Sequence, residues 1–298
     1  MIDDVICWWS GGITSAVACK KTIELFGLDR CRFIMIDTCN EHEDTYRFKK
    51  DCEKWYGKNI GVISFKDYEK FNDISTIEDV WFKHKSLNTA TGAICSTTLK
   101  RRVREEWEKQ NNYTYQVFGF EFDPKEFRRA MGMKLNHSNV RPIFPLLIYG
   151  LTKKDCIELV YEDGIKPPKM YEYGFGNNNC FKTGCVQGGI GYWQKIKREF
   201  PDKFEYMAKI EHKLTDAKGQ PITMLKDQSN IAKNIVKETG LKWKQFVFLK
   251  PHPDYPELKS IDDMDGREPE PLIDCNGFCG VNDLIDRSAT EGEVNFNQ

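Results

Sequence analysis

Residues Ser10-Gly11-Gly12-Ile13-Thr14-Ser15 decide how this chain is read. They follow an apolar run, Val5-Ile6-Cys7-Trp8-Trp9, and precede a helical pattern with Ala16, Cys19, Ile23 and Phe26 on one face. Strand, glycine-rich turn and helix together aim unpaired backbone N–H groups and a positive helix end at an anion, above all a phosphate. Gly11 and Gly12 let the backbone approach that anion because no Cβ intervenes. Ser10, Thr14 and Ser15 add hydroxyls at the same point. A plain helix start capped by Ser10 has the same spelling, so the neighbouring chain must decide.

Working outward, the first half alternates strands and helices. Gly27 closes the first helix, and Phe33 to Ile36 forms a short buried strand ending at Asp37-Thr38. A helix follows from Asp44 to Trp55, aligning Phe48, Cys52 and Trp55, with Gly57 behind it. Ile60 to Phe65 reads as a third strand, 67–93 as a helix plus a loop across the site, and Leu99, Val103 and Trp107 as an amphipathic helix. Tyr115 to Phe120 gives a fourth strand, and Val140 to Leu147, broken by prolines, a fifth at an edge. Such alternation predicts an α/β fold, a doubly wound parallel five-stranded sheet. Ligands bind such sheets beyond the carboxyl ends of the strands. The Ser10 loop, Asp37–Glu41, the region of Cys95 and Gly119–Glu126 all fall at that edge.

From Thr152 a capped helix runs to Gly164, and Trp193, Ile196, Phe200, Phe204 and Met207 predict a helix pair broken near Pro201. The pattern weakens beyond Gly219. Residues 251–274, rich in Pro, Asp and Glu, read as linker, and the tail after Arg287 as disordered. The expected division is a nucleotide-binding domain over 1–165, a mostly helical and irregular cysteine-bearing region over 166–287, and a disordered tail over 288–298.

The chain has 298 residues, 40% hydrophobic and 13% aromatic, enough to bury a large core. Its formal net charge of −1 excludes a global polybasic signature for nucleic acid or membrane, so any anion site is local. The acidic start, Met1-Ile2-Asp3-Asp4, does not resemble a secretion signal, and no apolar run is long enough to span a bilayer. The expectation is a soluble, cytoplasmic protein with no membrane partner. Of eleven cysteines, Cys7, Cys19, Cys31, Cys52 and Cys156 sit in apolar periodic segments and pack as small hydrophobes, while Cys39 and Cys95 fall at loop or turn positions. The other four form two close pairs, Cys180/Cys185 and Cys275/Cys279. In a reducing compartment such pairs suggest metal or redox chemistry rather than structural disulfides. Four thiolates there can enclose Zn²⁺ or hold a 4Fe–4S cluster, and the glycines and asparagines around both pairs favour tight turns toward sulfur. A redox-active thiol pair and four unconnected cysteines are the competing readings.

Several stretches together resemble one family. Ser10-Gly11-Gly12-Ile13-Thr14-Ser15 is similar to an S-G-G-x-D-S loop, and Asp37-Thr38-Cys39-Asn40-Glu41 to a D-T-G-x-E stretch. Cys95-Ser96-Thr97-Thr98-Leu99-Lys100 resembles C-x-x-x-L-K, and Gly119 followed by Glu126, Arg128 and Arg129 resembles a later G…E-x-x-R element. Asn179-Cys180 through Cys185-Val186 resembles a cysteine-bearing segment. In this order, over residues 5–185, they resemble the phosphoadenosine phosphosulfate (PAPS) reductase-like branch of the PP-loop ATP pyrophosphatases, in the adenine nucleotide alpha-hydrolase-like superfamily of HUP-type folds.

The resemblance implies that Ser10, Gly11, Gly12, Thr14, Ser15, Asp37, Thr38, Glu41, Gly119 and Arg129 surround ATP or a related adenine nucleotide. Lys100, Asp37 and Arg128 are then the candidate catalytic groups. Lys100 is the preferred phosphate or sulfate ligand, ahead of Arg101 and Arg102. Asp37 and Glu41 are the carboxylates for Mg²⁺, although one is spelled like a strand-end cap and the other like a first-turn helix acid. Arg128 and Arg129 suit bidentate anion contact, with one of them expected to be structural. Relatives that handle sulfur often carry clusters, which favours iron–sulfur over zinc at Cys180, Cys185, Cys275 and Cys279.

The implied activity is adenylation of an acceptor with release of pyrophosphate, including sulfur transfer onto a nucleobase, a nucleic acid or another acceptor. A sulfonucleotide reductase is the alternative, but its C-terminal Glu-Cys-Gly-x-His is matched only in part by Asp274-Cys275-Asn276-Gly277-Phe278. Thr14 stands where the family usually has Asp; a carboxylate there can help organise the metal or triphosphate, whereas a hydroxyl only donates or accepts a hydrogen bond, and the mostly backbone phosphate cradle survives the change. That feature supports a third reading, a non-catalytic nucleotide sensor or DNA-associated regulator.

Overall fold

The computed structural model describes residues 5–89, 92–270 and 272. Its first part runs β1 (Val5–Trp8), α1 (Ile13–Phe26), β2 (Cys31–Asp37), α2 (Glu43–Tyr56), β3 (Ile60–Ser64) and α3 (Ile77–His84). A small hairpin, β4 (Asn88–Thr89) and β5 (Gly92–Ala93), leads into α4 (Ile94–Ser96), a π-helical turn at Thr97–Arg101, and α5 (Arg102–Gln110). Then come β6 (Tyr115–Val117), α6 (Pro124–Asn136), β7 (Pro142–Ile143), α7 (Pro145–Tyr149) and α8 (Lys153–Glu162).

The main sheet has the order β3-β2-β1-β6-β7, and every pair in it is parallel. The expected doubly wound five-stranded sheet is therefore present. Strands covered on both faces need apolar residues at consecutive positions, as Val5-Ile6-Cys7-Trp8 supplies. Alternation sorts them: Val5, Cys7, Phe33 and Met35 enter one core with α1 and α2, while Ile6, Trp8 and Ile34 enter another with Trp107, Ala130 and Met133.

Beyond α8 the chain forms α9 (Lys169–Glu172), α10 (Ile190–Glu199), α11 (Pro201–Lys218), β8 (Leu225–Lys226), α12 (Asn230–Thr239), β9 (Phe246–Phe248) and β10 (Lys259–Ser260). The helix pair divides at Pro201, as expected, because proline suits the first helical position. A third core joins Phe65, Trp81, Leu99 and Val103 to Met170, Trp193, Phe204 and Val247, so it crosses residue 165. The 65–103 stretch and the later region share one interior.

Two expectations are corrected, and one helix is unexpected. Val140–Leu147 is not one strand, because Pro145 starts helix α7 after the two-residue β7. Residues 251–274 are not linker throughout: β10 pairs parallel with β9, and Leu258, Ser260 and Ile261 are buried. Helix α6 carries no expectation at all, although Asp123 accepts from Lys125 N at 2.7 Å and Pro124 fills its first turn. Residues 273–298, including Cys275, Cys279 and the 288–298 tail, lie outside the described residues. Among the described residues no helix is long and apolar enough to cross a membrane.

Candidate functional site

β1 lies at the centre of the sheet, between β2 and β6, where the strand order reverses. The Ser10–Ser15 loop leaves its carboxyl end and so sits at the topological switch point. Gly11 has φ +89°, a left-handed backbone that an L side chain resists. A Cβ there would also stand 2.9 Å from Thr45 Cγ2 and 3.4 Å from Asn178 Nδ2. Gly12 is the N-cap of α1 and offers no side-chain cap, which leaves the first helical amides to other partners.

Ser15 holds the loop together from within. Its Oγ accepts from Ser10 N and from Ser10 Oγ, both at 3.0 Å, and donates to Gly12 O at 2.8 Å. The expected hydroxyl donors are thus partly engaged inside the loop. Thr14 is buried.

The loop after β2 supplies the next wall. Asp37 Oδ1 accepts from Cys39 N, and Oδ2 from the Tyr46 hydroxyl, each at 2.7 Å. Asp37 therefore fixes a turn in which Cys39 has φ +60°. Burial and that carboxylate push the Tyr46 phenol pKa well up. Glu41 is 1% exposed; its Oε1 accepts from Thr38 Oγ1 at 3.0 Å and lies 3.5 Å from Lys100 Nζ. Lys100 is itself 5% exposed, carried by the π-helical turn, a distortion that occurs often at functional sites. Arg101 and Arg102 face solvent.

Asn177–Cys185 closes over this edge. Asn178 Nδ2 donates to Gly11 O at 2.8 Å and to Thr45 Oγ1 at 3.0 Å, while its buried Oδ1 has no hydrogen-bond partner. Phe181 N and Lys182 N donate to Asn40 O at 3.0 and 3.2 Å, and Asn40 Nδ2 donates to Thr183 Oγ1 at 2.8 Å. Cys180 Sγ is thereby brought to 3.5 Å from Thr38 Oγ1 and 3.9 Å from Glu41 Oε1. Cys95, Cys180 and Cys185 line one cavity with Thr38, Lys100 and Trp81. Cys95, left open by the sequence, is placed with the first cysteine pair.

Of the four cysteines expected to form one site, Cys180 and Cys185 line this cavity, and Cys275 and Cys279 fall outside the described residues. Among the described residues no three His, Cys, Asp or Glu side chains converge to hold a metal ion. Asp37 and Glu41, the expected Mg²⁺ carboxylates, already hold Cys39, Tyr46, Thr38 and Lys100.

Gly119 follows β6 and faces the start of α1, where it acts by its lack of a side chain. Arg129 is buried, donates to both oxygens of Glu126 at 2.6 and 2.7 Å, and stacks 4.4 Å from the Phe120 ring centre. Arg128 is exposed on the same helix. His42 caps α2, its Nδ1 accepting from Asp44 N at 2.9 Å. Sequence reasoning missed Asn178, Tyr46 and Tyr171. The asparagine run at 177–179 signalled a turn, and nothing in the spelling placed either tyrosine beside its partner.

No family model matches the chain. It is 27% identical over 207 residues to the uncharacterized protein MJ0066 of Methanocaldococcus jannaschii, covering 67% of this chain and 40% of that protein. It is 23% identical over 202 residues to MJ0973 of the same organism, covering 66% and 44%. The chain thus spans less than half the length of the curated relatives it matches. Among solved structures it is similar to a PAPS reductase from Candida auris in a phosphate complex, with TM-score 0.42 and 14% identity over 60% of this chain and 81% of that one. It is also similar to the U34-tRNA thiolase NcsA from Methanococcus maripaludis with its [4Fe-4S] cluster, with TM-score 0.34 and 15% identity over 72% and 73%.

Proposed function

We propose that the chain binds an adenine nucleotide on the Ser10–Ser15 loop and adenylates an acceptor with release of pyrophosphate, in the service of sulfur transfer. The observation that carries this reading is the juxtaposition at one sheet edge of a glycine loop at the switch point, the buried Lys100, and the thiol of Cys180 3.5 Å from Thr38. An anion-binding loop alone would fit many nucleotide sites. A thiol-lined cavity opening beside it fits chemistry that joins a nucleotide to sulfur.

In the proposed step an acceptor oxygen attacks the α-phosphorus, its bond to that phosphorus forms, and the bond to the β-phosphate oxygen breaks. Pyrophosphate leaves with the electron pair. Loop amides and Lys100 offset the charge that gathers on the phosphate oxygens, and their fixed placement means that no reorganisation is needed as it develops. Asp37 positions the turn that carries Thr38. Arg128, exposed on α6, is available to an acceptor, whereas Arg129 holds Glu126 and braces the helix. Mg²⁺ enters with the nucleotide's phosphates, and a cluster or zinc ion would need Cys275 and Cys279 beside Cys180 and Cys185.

Pyrophosphate release from ATP, abolished by substitution in the loop, tests the reading. Thiol-dependent sulfite release from a sulfonucleotide would replace it with the reductase. Tight nucleotide binding with neither product would replace it with a sensor. Iron and zinc analysis of anaerobically purified protein decides whether the two cysteine pairs form one centre.

A further inference from the structure

One amide of the nucleotide loop is already occupied by a side chain. Ile13 is the first residue of α1, and its N–H donates to the Tyr171 hydroxyl at 3.2 Å. Helix-start amides are the groups that take a phosphoryl oxygen. Tyr171 reaches the loop from α9, which lies 158 residues later in the chain.

The approach of Tyr171 is held from α2. Arg47 donates to Lys166 O at 2.7 Å and to Pro167 O at 2.9 Å, and is itself gripped by Asp44 through two bonds of 2.9 and 2.8 Å. Asp44 also accepts from Lys169 N at 2.8 Å, and the Arg47 guanidinium holds its carboxyl below the usual range. Pro167 and Pro168 stiffen the entry to α9. The same connection returns Asn178 to Gly11 O, with a buried oxygen that has no partner. That orphan acceptor beside the loop is an independent sign of a ligand with an O–H or N–H donor, which a nucleotide supplies through its ribose hydroxyls or adenine amine rather than its phosphates.

We propose that Tyr171 is a built-in competitor at the loop: its hydroxyl stands in the place of a phosphoryl oxygen on Ile13 N–H, and a bound polyphosphate displaces it. The inference rests on the nucleotide-binding reading above. The neutral N–H···O bond that must be broken sets the size of the effect. Removing it without removing the ring strengthens phosphate binding about threefold to tenfold.

The experiment titrates ATP and, separately, inorganic pyrophosphate into the full chain and into Tyr171→Phe, with [¹⁵N]isoleucine labelling to follow the Ile13 amide. The expected result is tighter binding of both ligands to Tyr171→Phe, together with a lower melting temperature for the free protein, since the Ile13 N–H loses its acceptor. The Ile13 resonance should move on that substitution and, in the wild type, on adding pyrophosphate. Arg47→Ala, which frees the α9 entry with Tyr171 intact, should tighten binding in the same direction. Binding that is unchanged or weaker in both variants overturns the proposal and leaves the nucleotide reading standing. If no protein binds either ligand while the Ile13 resonance still responds to Tyr171→Phe, the contact is real but the nucleotide reading falls, and the proposal with it.

Discussion

A Cβ on Gly119 would stand 2.6 Å from Ser15 Cα and 2.7 Å from Ser15 N. The backbone beyond β6 is therefore in direct contact with the first turn of α1, and the Ser10–Ser15 loop is buttressed by a residue that has no side chain.

Gly119→Ala should consequently move the loop, because the obstructing atoms are backbone and cannot rotate away. Overpacking of this kind costs about 1–3 kcal/mol of stability. Nucleotide affinity should fall with it, and a denaturation curve together with an ATP titration checks both. An unaltered affinity would show that the contact does not shape the loop.

Lys100 and Glu41 form a buried pair at 3.5 Å. Lys100→Met should destabilise the protein by about 3–5 kcal/mol, since it leaves Glu41 buried without its cation. The double variant Lys100→Met, Glu41→Gln should regain most of that stability while pyrophosphate release stays lost. Recovery of turnover in the double variant would remove Lys100 from the chemistry.

Glu211 is fully buried, accepts from Met224 N and Leu249 N at 2.8 Å each, and ties α11 to β9. Desolvation pushes its carboxyl up to about 8. The native state then holds a proton that the unfolded chain releases near the usual carboxylate pKa. Stability is complete below that value and is lost as pH rises through about 8. Urea unfolding between pH 5 and pH 9 should show this decline, and Glu211→Gln should flatten it.

Thr14→Asp returns a carboxylate to a buried position. The free protein should lose about 1–3 kcal/mol, the cost of a buried acceptor without a partner. Nucleotide binding should become more dependent on Mg²⁺, as a titration with and without the ion will show. If binding and turnover are both untouched, the threonine carries no functional meaning.

Much of this was legible in the chain. Val5–Trp9 is apolar at every position, as a central parallel strand must be, and Gly27 and Gly57 close their helices where the periodicity stops. Short-range spelling failed where tertiary partners override it. Pro142 and Pro145 share one apolar stretch, yet one opens a strand and the other a helix. Leu258 and Ile261 sit in acidic, proline-rich sequence and still enter the core, because β9 offers a pairing edge that no local pattern reveals.

The sequence by itself determined the strand–loop–helix of Ser10–Ser15, the parallel sheet and the order of the motifs along it, because periodicity and glycine placement are local properties. Only the tertiary structure decided which groups meet there. It joined Lys100 to Glu41, set Cys180 beside Thr38, placed Tyr171 on the Ile13 amide, and assigned Gly119 a packing role. Such contacts link residues tens to more than a hundred positions apart, and only the folded chain fixes their distances.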